Sequence, residues 1–173
     1  MPDRSPRGFV PASVGRRPPV IELSMSGRDV LPHRDPLLLA DRLVSLVPLR
    51  AGVVERLVRA DEPAFLGTAV EGAVYPSCLT LESFAQACGL VWMAGRRPAG
   101  AAAAELLVFG TARGVRFHAP VYAGQTLRHL VRLEDARAGR ALVAGETRVG
   151  EALVLTVGSA LLLARPATSW TEG

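Results

Sequence analysis

The sequence contains no lysine, few aromatic residues and only two cysteines. All 20 basic residues are arginine, and aromatic residues make up 5% of the chain while hydrophobic residues make up 49%. The core is therefore expected to be filled by alanine, leucine and valine. The preference for arginine, alanine and glycine is a bias expected of a GC-rich genome, so it carries no functional signal.

The two cysteines, Cys78 and Cys88, lie ten positions apart in a segment that we predict below to be one helix. On a helix this spacing separates them by about 15 Å, which is too far for a disulfide. No CxxC motif and no Cys/His cluster is present, so no metal site is expected. Two thiols without a disulfide framework favour a reducing, cytoplasmic location.

Long hydrophobic runs are also lacking, since no run of 18 apolar residues occurs and residues 1–20 supply no unbroken apolar stretch. Neither a membrane span nor export is expected. The net charge is +4, of which residues 1–19 contribute +3 through four arginines and one aspartate, leaving +1 for the rest. No basic face interleaved with aromatic residues is visible, so nucleic-acid binding is not expected.

A chain of 173 residues is long enough for one domain with a substantial core. Residues 1–20 mix proline, arginine, glycine and serine without a period, which indicates a disordered basic arm. Residues 166–173 are predicted to form a short polar tail. The domain is therefore predicted to span residues 21–165.

The patterns within the domain predict an α+β fold. The predicted elements are a short helix over 35–41 capped by Asp35, a strand hairpin over 42–60, a long loop over 61–75, a helix from Pro76 to Gly95, and strands over 105–117, 125–135, 140–150 and 152–164. The long helix is apolar nearly all round and is therefore expected to be buried. The loop is unusually long, and such loops are often functional. We therefore predict an antiparallel sheet wrapped around one long central helix, which is the hot-dog arrangement.

Four segments of the chain are similar to one enzyme family. They are LPHRDPLLLADR at 31–42, DEPAFLG at 61–67, YPSCLTLESFAQA at 75–87 and VRFHAPVYAGQTL at 115–127. In this order they resemble segments of the 3-hydroxyacyl-ACP dehydratases of fatty-acid synthesis, the FabZ type. The resemblance covers about residues 27–165, and it implies a dimer-forming hot-dog domain.

The resemblance also implies where the catalytic residues lie. In that family a histidine follows the loop glycine, and an acid lies on the central helix fourteen positions later. Here the glycine is Gly67 and the acid is Glu82, so the histidine position is 82 − 14 = 68, which is Thr68. The phenylalanine and proline that follow the family's histidine are replaced by Ala69 and Val70.

Dehydration of a 3-hydroxyacyl thioester needs a base for the C2 proton, an acid for the departing hydroxyl and a dipole at the thioester carbonyl. Glu82 on an apolar helix is expected to be a buried acid with a raised pKa, and Gln86 lies one helical turn along from it. The resemblance implies that a backbone N–H at the helix start, from Ser77 or Cys78, polarises the carbonyl. Thr68 has no titration near neutrality, so it cannot replace a histidine base.

Further residues complete the predicted site. Gly67 and Pro76 are predicted to bind the substrate, and Tyr75 is predicted to line the acyl pocket. Cys78 is interpreted as a small residue and not as a nucleophile, because no histidine lies near it in sequence. The remaining histidines of the chain are each interpreted as structural or surface residues: His33, His118 and His129.

The family builds each site across a dimer interface, with the histidine from one subunit and the acid from the other. The leading hypothesis is therefore a subunit of a heteromeric dehydratase that acts on acyl or polyketide chains carried by acyl carrier protein, with a partner subunit's histidine completing the site. No cofactor is expected beyond the carrier's phosphopantetheine. The alternatives are a homodimeric hot-dog thioesterase that uses Glu82 and a non-catalytic scaffold. For the scaffold alternative, the candidates for a carrier-docking patch are Arg96 with Arg97 or Arg113 with Arg116, and the other interpretation of these residues is scattered solvated arginines.

Overall fold

The computed structural model describes residues 19–67, 71–96, 105–137 and 139–166. These residues form eight strands and one α-helix: β1 (Ile21–Ser26), β2 (Arg42–Val47), β3 (Ala51–Leu57), α1 (Ser77–Arg96), β4 (Glu105–Arg113), β5 (Arg116–Phe117), β6 (Thr126–Arg137), β7 (Arg140–Val149) and β8 (Ala152–Pro166). Two short 3-10 helices lie at Gly27–Asp29 and Pro63–Phe65.

The strands form one sheet in which every pairing is antiparallel. The order is β1-β2-β3-β6-β7-β8-β4, and β5 pairs with β8. The strands β1 and β4 therefore lie at the two edges of the described sheet. The predicted antiparallel sheet with one long helix is confirmed.

The helix α1 forms the centre of the core. Of its 20 residues, 12 are buried, and Phe84, Leu90 and Trp92 are fully enclosed. Burying each large apolar side chain contributes about 1.5–3 kcal/mol. On the sheet side Gly52 allows a close approach, because a Cβ atom there would lie 2.6 Å from Cγ2 of Val91. The sheet covers most sides of the helix, and this explains why the helix is apolar.

The hairpins follow the turn residues of the sequence. The turn between β7 and β8 contains Gly150 at φ +55°, between the paired residues Val149 and Ala152. Glycine adopts this left-handed conformation without strain, as tight hairpin turns require. The predicted hairpin over 42–60 and the predicted strands over 125–135, 140–150 and 152–164 are confirmed, with ends shifted by a few residues. The single strand predicted over 105–117 is divided into β4 and β5 at residues 114–115. The strand β1 was not predicted.

The predicted helix over 35–41 is wrong. Residues 38–41 have no regular secondary structure, and Asp35 forms an ion pair with Arg28 at 3.4 Å instead of capping a helix. The backbone polar groups of this segment bond to side chains of α1: the amide of Leu39 bonds to Gln86, and the carbonyl of Leu39 accepts from Ser83. Partners on α1 therefore take the bonds that a local helix would have used.

Several predicted regions fall wholly or partly outside the described residues. They include residues 1–18 of the predicted arm, the segment 97–104 and residues 167–173 of the tail. The domain limits of 21 and 165 remain a prediction, and the described strands run from Ile21 to Pro166. No helix in the described part of the chain is long and apolar enough to cross a membrane.

Candidate active site

Glu82 projects from the one face of α1 that the sheet leaves uncovered. It is exposed, whereas its neighbour Ser83 is completely buried. The expectation that Glu82 is buried is therefore wrong for the single chain, because an apolar helix sequence does not reveal which turn lacks a cover.

Gln86 holds Glu82 in place through a fully used side-chain amide. Its Oε1 accepts from the amide of Leu39 at 2.7 Å, and its Nε2 donates to the carbonyl of Leu37 at 2.8 Å and to Oε1 of Glu82 at 2.9 Å. Since Gln86 is only 3% exposed, this orientation is fixed by its surroundings. One carboxylate oxygen of Glu82 is thus engaged as an acceptor, and Oε2 is left for proton transfer.

The start of α1 presents backbone donors near this carboxylate. The carbonyl of Pro76 accepts from the amides of Leu79 and Thr80 at 2.9 and 3.2 Å. No acceptor among the described residues bonds to the amides of Ser77 and Cys78, and both residues are exposed. Free N–H groups at a helix N-terminus attract a developing negative charge, so these two amides fit the predicted role.

The loop that leads to position 68 is anchored before it reaches the site. Phe65 is buried, and its ring lies 5.9 Å from that of Tyr75, centroid to centroid. Gly67 follows in an exposed, left-handed conformation at φ +78°. Thr68 and the two residues after it lie outside the described residues.

A buried ion-pair network, which we call the Arg56 network, fixes the start of this loop. Arg56 is 4% exposed and contacts Asp41 and Glu62, each at 2.9 Å. Glu62 also accepts from the amide of Arg59 at 2.6 Å, and Asp41 accepts from the amide of Leu57 at 2.8 Å. Sequence reasoning missed this network. The available signal was Asp41 and Glu62, which lie inside the family-like segments at 31–42 and 61–67.

Tyr75 lies in the core and not on an open pocket wall. Its side chain is 1% exposed, and burial together with the negative charge of Glu62 raises the pKa of Tyr75 to about 12. So little exposed surface does not support the prediction that Tyr75 lines the acyl pocket. Its ring instead packs on Phe65, and this contact connects the loop to the segment just before α1.

The three histidines occupy different surroundings. His129 is fully buried between the hydroxyl groups of Ser83 and Thr147, 2.8 Å from each, which fits a structural role. His118 is exposed and lies 3.0 Å from the hydroxyl of Thr156. His33 is half-buried, and its Nδ1 atom is buried with no hydrogen-bond partner in the described part of the chain.

The two cysteines are far from forming a bridge. Cys78 is exposed at the start of α1 and Cys88 is buried in the core, and both are free thiols. Burial raises the pKa of the Cys88 thiol, so it is unreactive. In the part of the chain that the structure describes, no group of three or more histidine, cysteine or acidic residues could hold a metal ion.

A cavity of about 160 Å³ lies against Glu82, and we call it the Glu82 cavity. Its lining residues are Leu31, His33, Glu82, Ala85, Gln86, Gly89, Leu107, Phe109 and Leu162. The walls are mixed: His33, Glu82 and Gln86 supply polar groups, and the other lining residues are apolar. A larger cavity of about 730 Å³ includes Val53, Leu130 and Thr156, which alternate with residues packed on α1. This larger cavity therefore lies on the outer face of the sheet, away from Glu82.

The predicted docking arginines differ in whether their side chains already contact another described residue. Arg96 stacks over the Trp92 ring at 5.0 Å and pairs with Glu105 at 3.1 Å, so it is already engaged. Arg97 lies outside the described residues. Arg113 and Arg116 are exposed, and no described carboxylate lies within 4 Å of either guanidinium.

Together, the antiparallel sheet around one helix and the carboxylate held on that helix beside free amides define a hot-dog domain suited to thioester chemistry. Comparison with known proteins agrees: the FabA-like domain family matches residues 31–157. The chain belongs to this family.

Its relatives include 3-hydroxyacyl-[acyl-carrier-protein] dehydratases named FabZ. The one from Roseiflexus sp. strain RS-1 is 36% identical over 125 residues, which is 72% of this chain and 85% of that protein. The one from Chloroflexus aggregans is 39% identical over 110 residues, or 64% of this chain and 74% of that protein. The predicted resemblance to the FabZ dehydratases is confirmed.

The fold is shared with a chain of the dehydratase heterocomplex ApeI:P from Xenorhabdus doucetiae. The TM-score is 0.68 at 19% identity, and the match covers 83% of this chain and 93% of that one. At this identity the likeness concerns the fold alone.

Proposed function

We propose that the chain is a dehydratase-type subunit that acts on 3-hydroxyacyl or polyketide chains tethered to acyl carrier protein. In this proposal Glu82 is the acid, and a histidine of a partner subunit is the base. The observation that carries it is the Glu82 carboxylate, which Gln86 holds by one oxygen at 2.9 Å beside the Glu82 cavity. The family resemblance implies that Thr68 stands at the position of the base, so in this proposal the acid needs a base from elsewhere.

The reaction follows from these positions. The base removes a C2 proton, the electron pair forms the C2=C3 double bond, and the C3–O bond breaks. Glu82 in its acid form gives the proton of Oε2 to the departing hydroxyl, which leaves as water. The amides of Ser77 and Cys78 donate to the thioester oxygen while negative charge develops on it.

A second subunit has a place to bind next to this acid. The strand β4 lies at an edge of the described sheet, and its residues Leu107 and Phe109 line the Glu82 cavity. An edge strand offers unpaired N–H and C=O groups to another chain. A partner that pairs with β4 would therefore bring its own loop close to Glu82. The ApeI:P heterocomplex is a precedent for this fold in a dehydratase built from unlike subunits.

The test is to mix the pure chain with a histidine-bearing relative and to measure enoyl product from a 3-hydroxyacyl chain on acyl carrier protein. We expect product from the mixture, and we expect Glu82→Gln to lower the rate by about 10²-fold or more, as loss of a general acid does. Glu134→Gln is the matched control, because Glu134 is an exposed glutamate on β6. A mixture that keeps its full rate with Glu82→Gln would contradict the proposal.

The same preparation distinguishes the alternatives. Release of free thiol by the pure chain, lost in Glu82→Gln, would identify a thioesterase in which the exposed carboxylate activates water. Stimulation of the partner that is equal for the unmodified chain and for Glu82→Gln would identify a scaffold subunit.

A further inference from the structure

The Glu82 cavity follows one face of α1, away from the start of the helix. Its lining residues on this helix are Glu82, Ala85, Gln86 and Gly89. Residues three, four and seven positions after Glu82 share its face of a helix. No residue of α1 after Gly89 lines the cavity. The cavity therefore runs from the exposed acid along about two helical turns, a rise of about 10 Å.

The reacting groups of the substrate follow one another in the same direction. The proposed reaction places the thioester oxygen at the amides of Ser77 and Cys78, at the start of α1. It places the C3 hydroxyl at Glu82, which is four positions after Cys78 and so on the same face of the helix. A substrate bound in this order directs C4 and the later carbons along the cavity toward Gly89.

Leu107 of β4 lies where the cavity ends. A Cβ atom on Gly89 would lie 2.6 Å from Cδ1 of Leu107 and 3.6 Å from Cδ2 of Leu31. Both leucines also line the cavity. The Leu107 side chain therefore rests on the backbone of Gly89, and this contact between sheet and helix leaves no space for an alkyl chain to continue.

The polar lining residues leave the path of an alkyl chain free. Both N–H groups of the Gln86 amide donate to oxygen atoms, and its Oε1 accepts from the amide of Leu39. The Nδ1 atom of His33 is buried, so it is not exposed to the cavity. Neither atom group places an unpaired polar atom against the chain, as an apolar ligand requires.

We propose that Leu107 restricts the substrate to short and medium acyl chains. The inference rests on the proposed function, and it names the substrate class of that site. The cavity volume of about 160 Å³ equals roughly five water molecules at about 30 Å³ each, and a methylene group is of similar size. Roughly five carbons beyond C3, and therefore about eight in all, fit the cavity. Five C–C bonds of about 1.5 Å also fit its length.

The experiment measures kcat/KM of the complex with a histidine-bearing relative on carrier-bound 3-hydroxyacyl chains from four to twelve carbons long. Each methylene group that the cavity buries should raise kcat/KM by up to about fourfold. We therefore expect kcat/KM to rise up to about eight carbons and to fall about tenfold for longer chains, which the cavity cannot bury. The four-carbon chain extends by only one carbon beyond C3, so its rate reports whether the fold and the acid are intact.

Two variants should move this limit in opposite directions. Leu107→Ala removes three carbons from the end of the cavity, so it should raise kcat/KM for the ten-carbon chain about tenfold. Gly89→Ala adds a methyl group that pushes against the end of the Leu107 side chain, so it should lower kcat/KM for the eight-carbon chain about tenfold. Neither should change the four-carbon rate. Leu106→Ala is the matched control, because Leu106 is a half-buried leucine of β4 that does not line the cavity.

The outcomes separate this inference from the proposed function. Equal kcat/KM for eight-carbon and twelve-carbon chains in the unmodified complex would overturn the inference, and so would an unchanged chain-length preference in Leu107→Ala. If Leu107→Ala loses the four-carbon rate, Gly89→Ala decides: a loss confined to the longer chains supports the inference, and an unchanged preference overturns it. In each case an inactive Glu82→Gln leaves the proposed function standing, whereas a fully active Glu82→Gln removes both.

Discussion

His129 is enclosed in the core between the hydroxyl groups of Ser83 and Thr147. Burial, aided by the positive charge of Arg56, lowers the pKa of His129 to about 3, so the ring is neutral at pH 7. The hydroxyl of Ser83 donates to the carbonyl of Leu39, so it accepts from Nε2–H of His129. In the neutral ring Nδ1 is then the acceptor for the hydroxyl of Thr147.

This histidine makes the stability of the fold sensitive to acid. In the unfolded chain a histidine titrates near 6.5. Between pH 6.5 and 3 the unfolded state therefore binds the extra proton, and the free energy of unfolding falls as the pH falls. We expect His129 to contribute a loss of about 2 kcal/mol between pH 7 and pH 5, measured by urea unfolding.

The contribution is isolated by comparison of variants. His129→Gln keeps groups that can bond to both hydroxyls but cannot titrate, so its unfolding free energy should change less between the two pH values than that of the unmodified chain. His118→Gln alters an exposed histidine and should leave the pH dependence as it is. If the unfolding free energy depended on pH equally in His129→Gln and in the unmodified chain, His129 would not be the source of the acid sensitivity.

Among the elements, the segment 37–41 and the loop after β3 are fastened by polar side chains in the interior. Gln86 and Ser83 of α1 bond to the backbone of the first, and the Arg56 network joins both through Asp41 and Glu62. The site elements are therefore held by groups that are costly to leave unpaired.

Removal of the guanidinium of Arg56, which lies at the centre of the Arg56 network, should strongly destabilise these elements. Arg56→Ala leaves Glu62, which is 5% exposed, as a buried carboxylate without its ion-pair partner. Breaking a buried pair in this way costs about 3–5 kcal/mol. Thermal and urea unfolding would measure the loss.

The matched control for this prediction is another paired arginine at the surface. Arg128 pairs with Glu55 at 2.6 Å, but its side chain is 49% exposed. Arg128→Ala should therefore change the free energy of unfolding by no more than about 1 kcal/mol. Similar effects of the two substitutions would show that the Arg56 network does not anchor the loop.

At the scale of the whole molecule, the net charge of +4 is less informative than the position of unpaired arginines. Arg113 at the end of β4 and Arg116 in β5 are exposed and have no described ion-pair partner. Acyl carrier proteins are acidic, so these arginines are the predicted docking cations that remain free in the described structure.

Replacement of both arginines should weaken carrier docking without affecting the chemistry. We expect Arg113→Ala with Arg116→Ala to raise KM for a carrier-bound substrate about fivefold, since exposed ion pairs are worth up to about 1 kcal/mol. The KM for a small thioester should not change, and the difference should vanish at high salt. Arg137→Ala, at an exposed arginine paired with Asp135, is the control. A KM that rises equally for both substrates would point to the site and not to docking.

The sequence by itself determined the family, the long buried helix and the antiparallel strands. Short-range patterns indicate these features: apolar residues at helical spacing over 77–96, alternating apolar and polar residues in the strands, and turn residues such as Gly150. It also determined that an acid, Glu82, lies on the helix. That Thr68 occupies the histidine position is what the family resemblance implies, and it stays a prediction.

Only the tertiary structure decided which polar groups meet. Gln86 and Leu39 are 47 positions apart, and their hydrogen bond replaces the helix that local residues predicted over 35–41. The same holds for the exposure of Glu82, for the Arg56 network and for His33 beside Glu82 in one cavity. Periodicity shows that a helix face is apolar, but the element that covers it, or leaves one turn open, is set by long-range packing that short-range patterns do not contain.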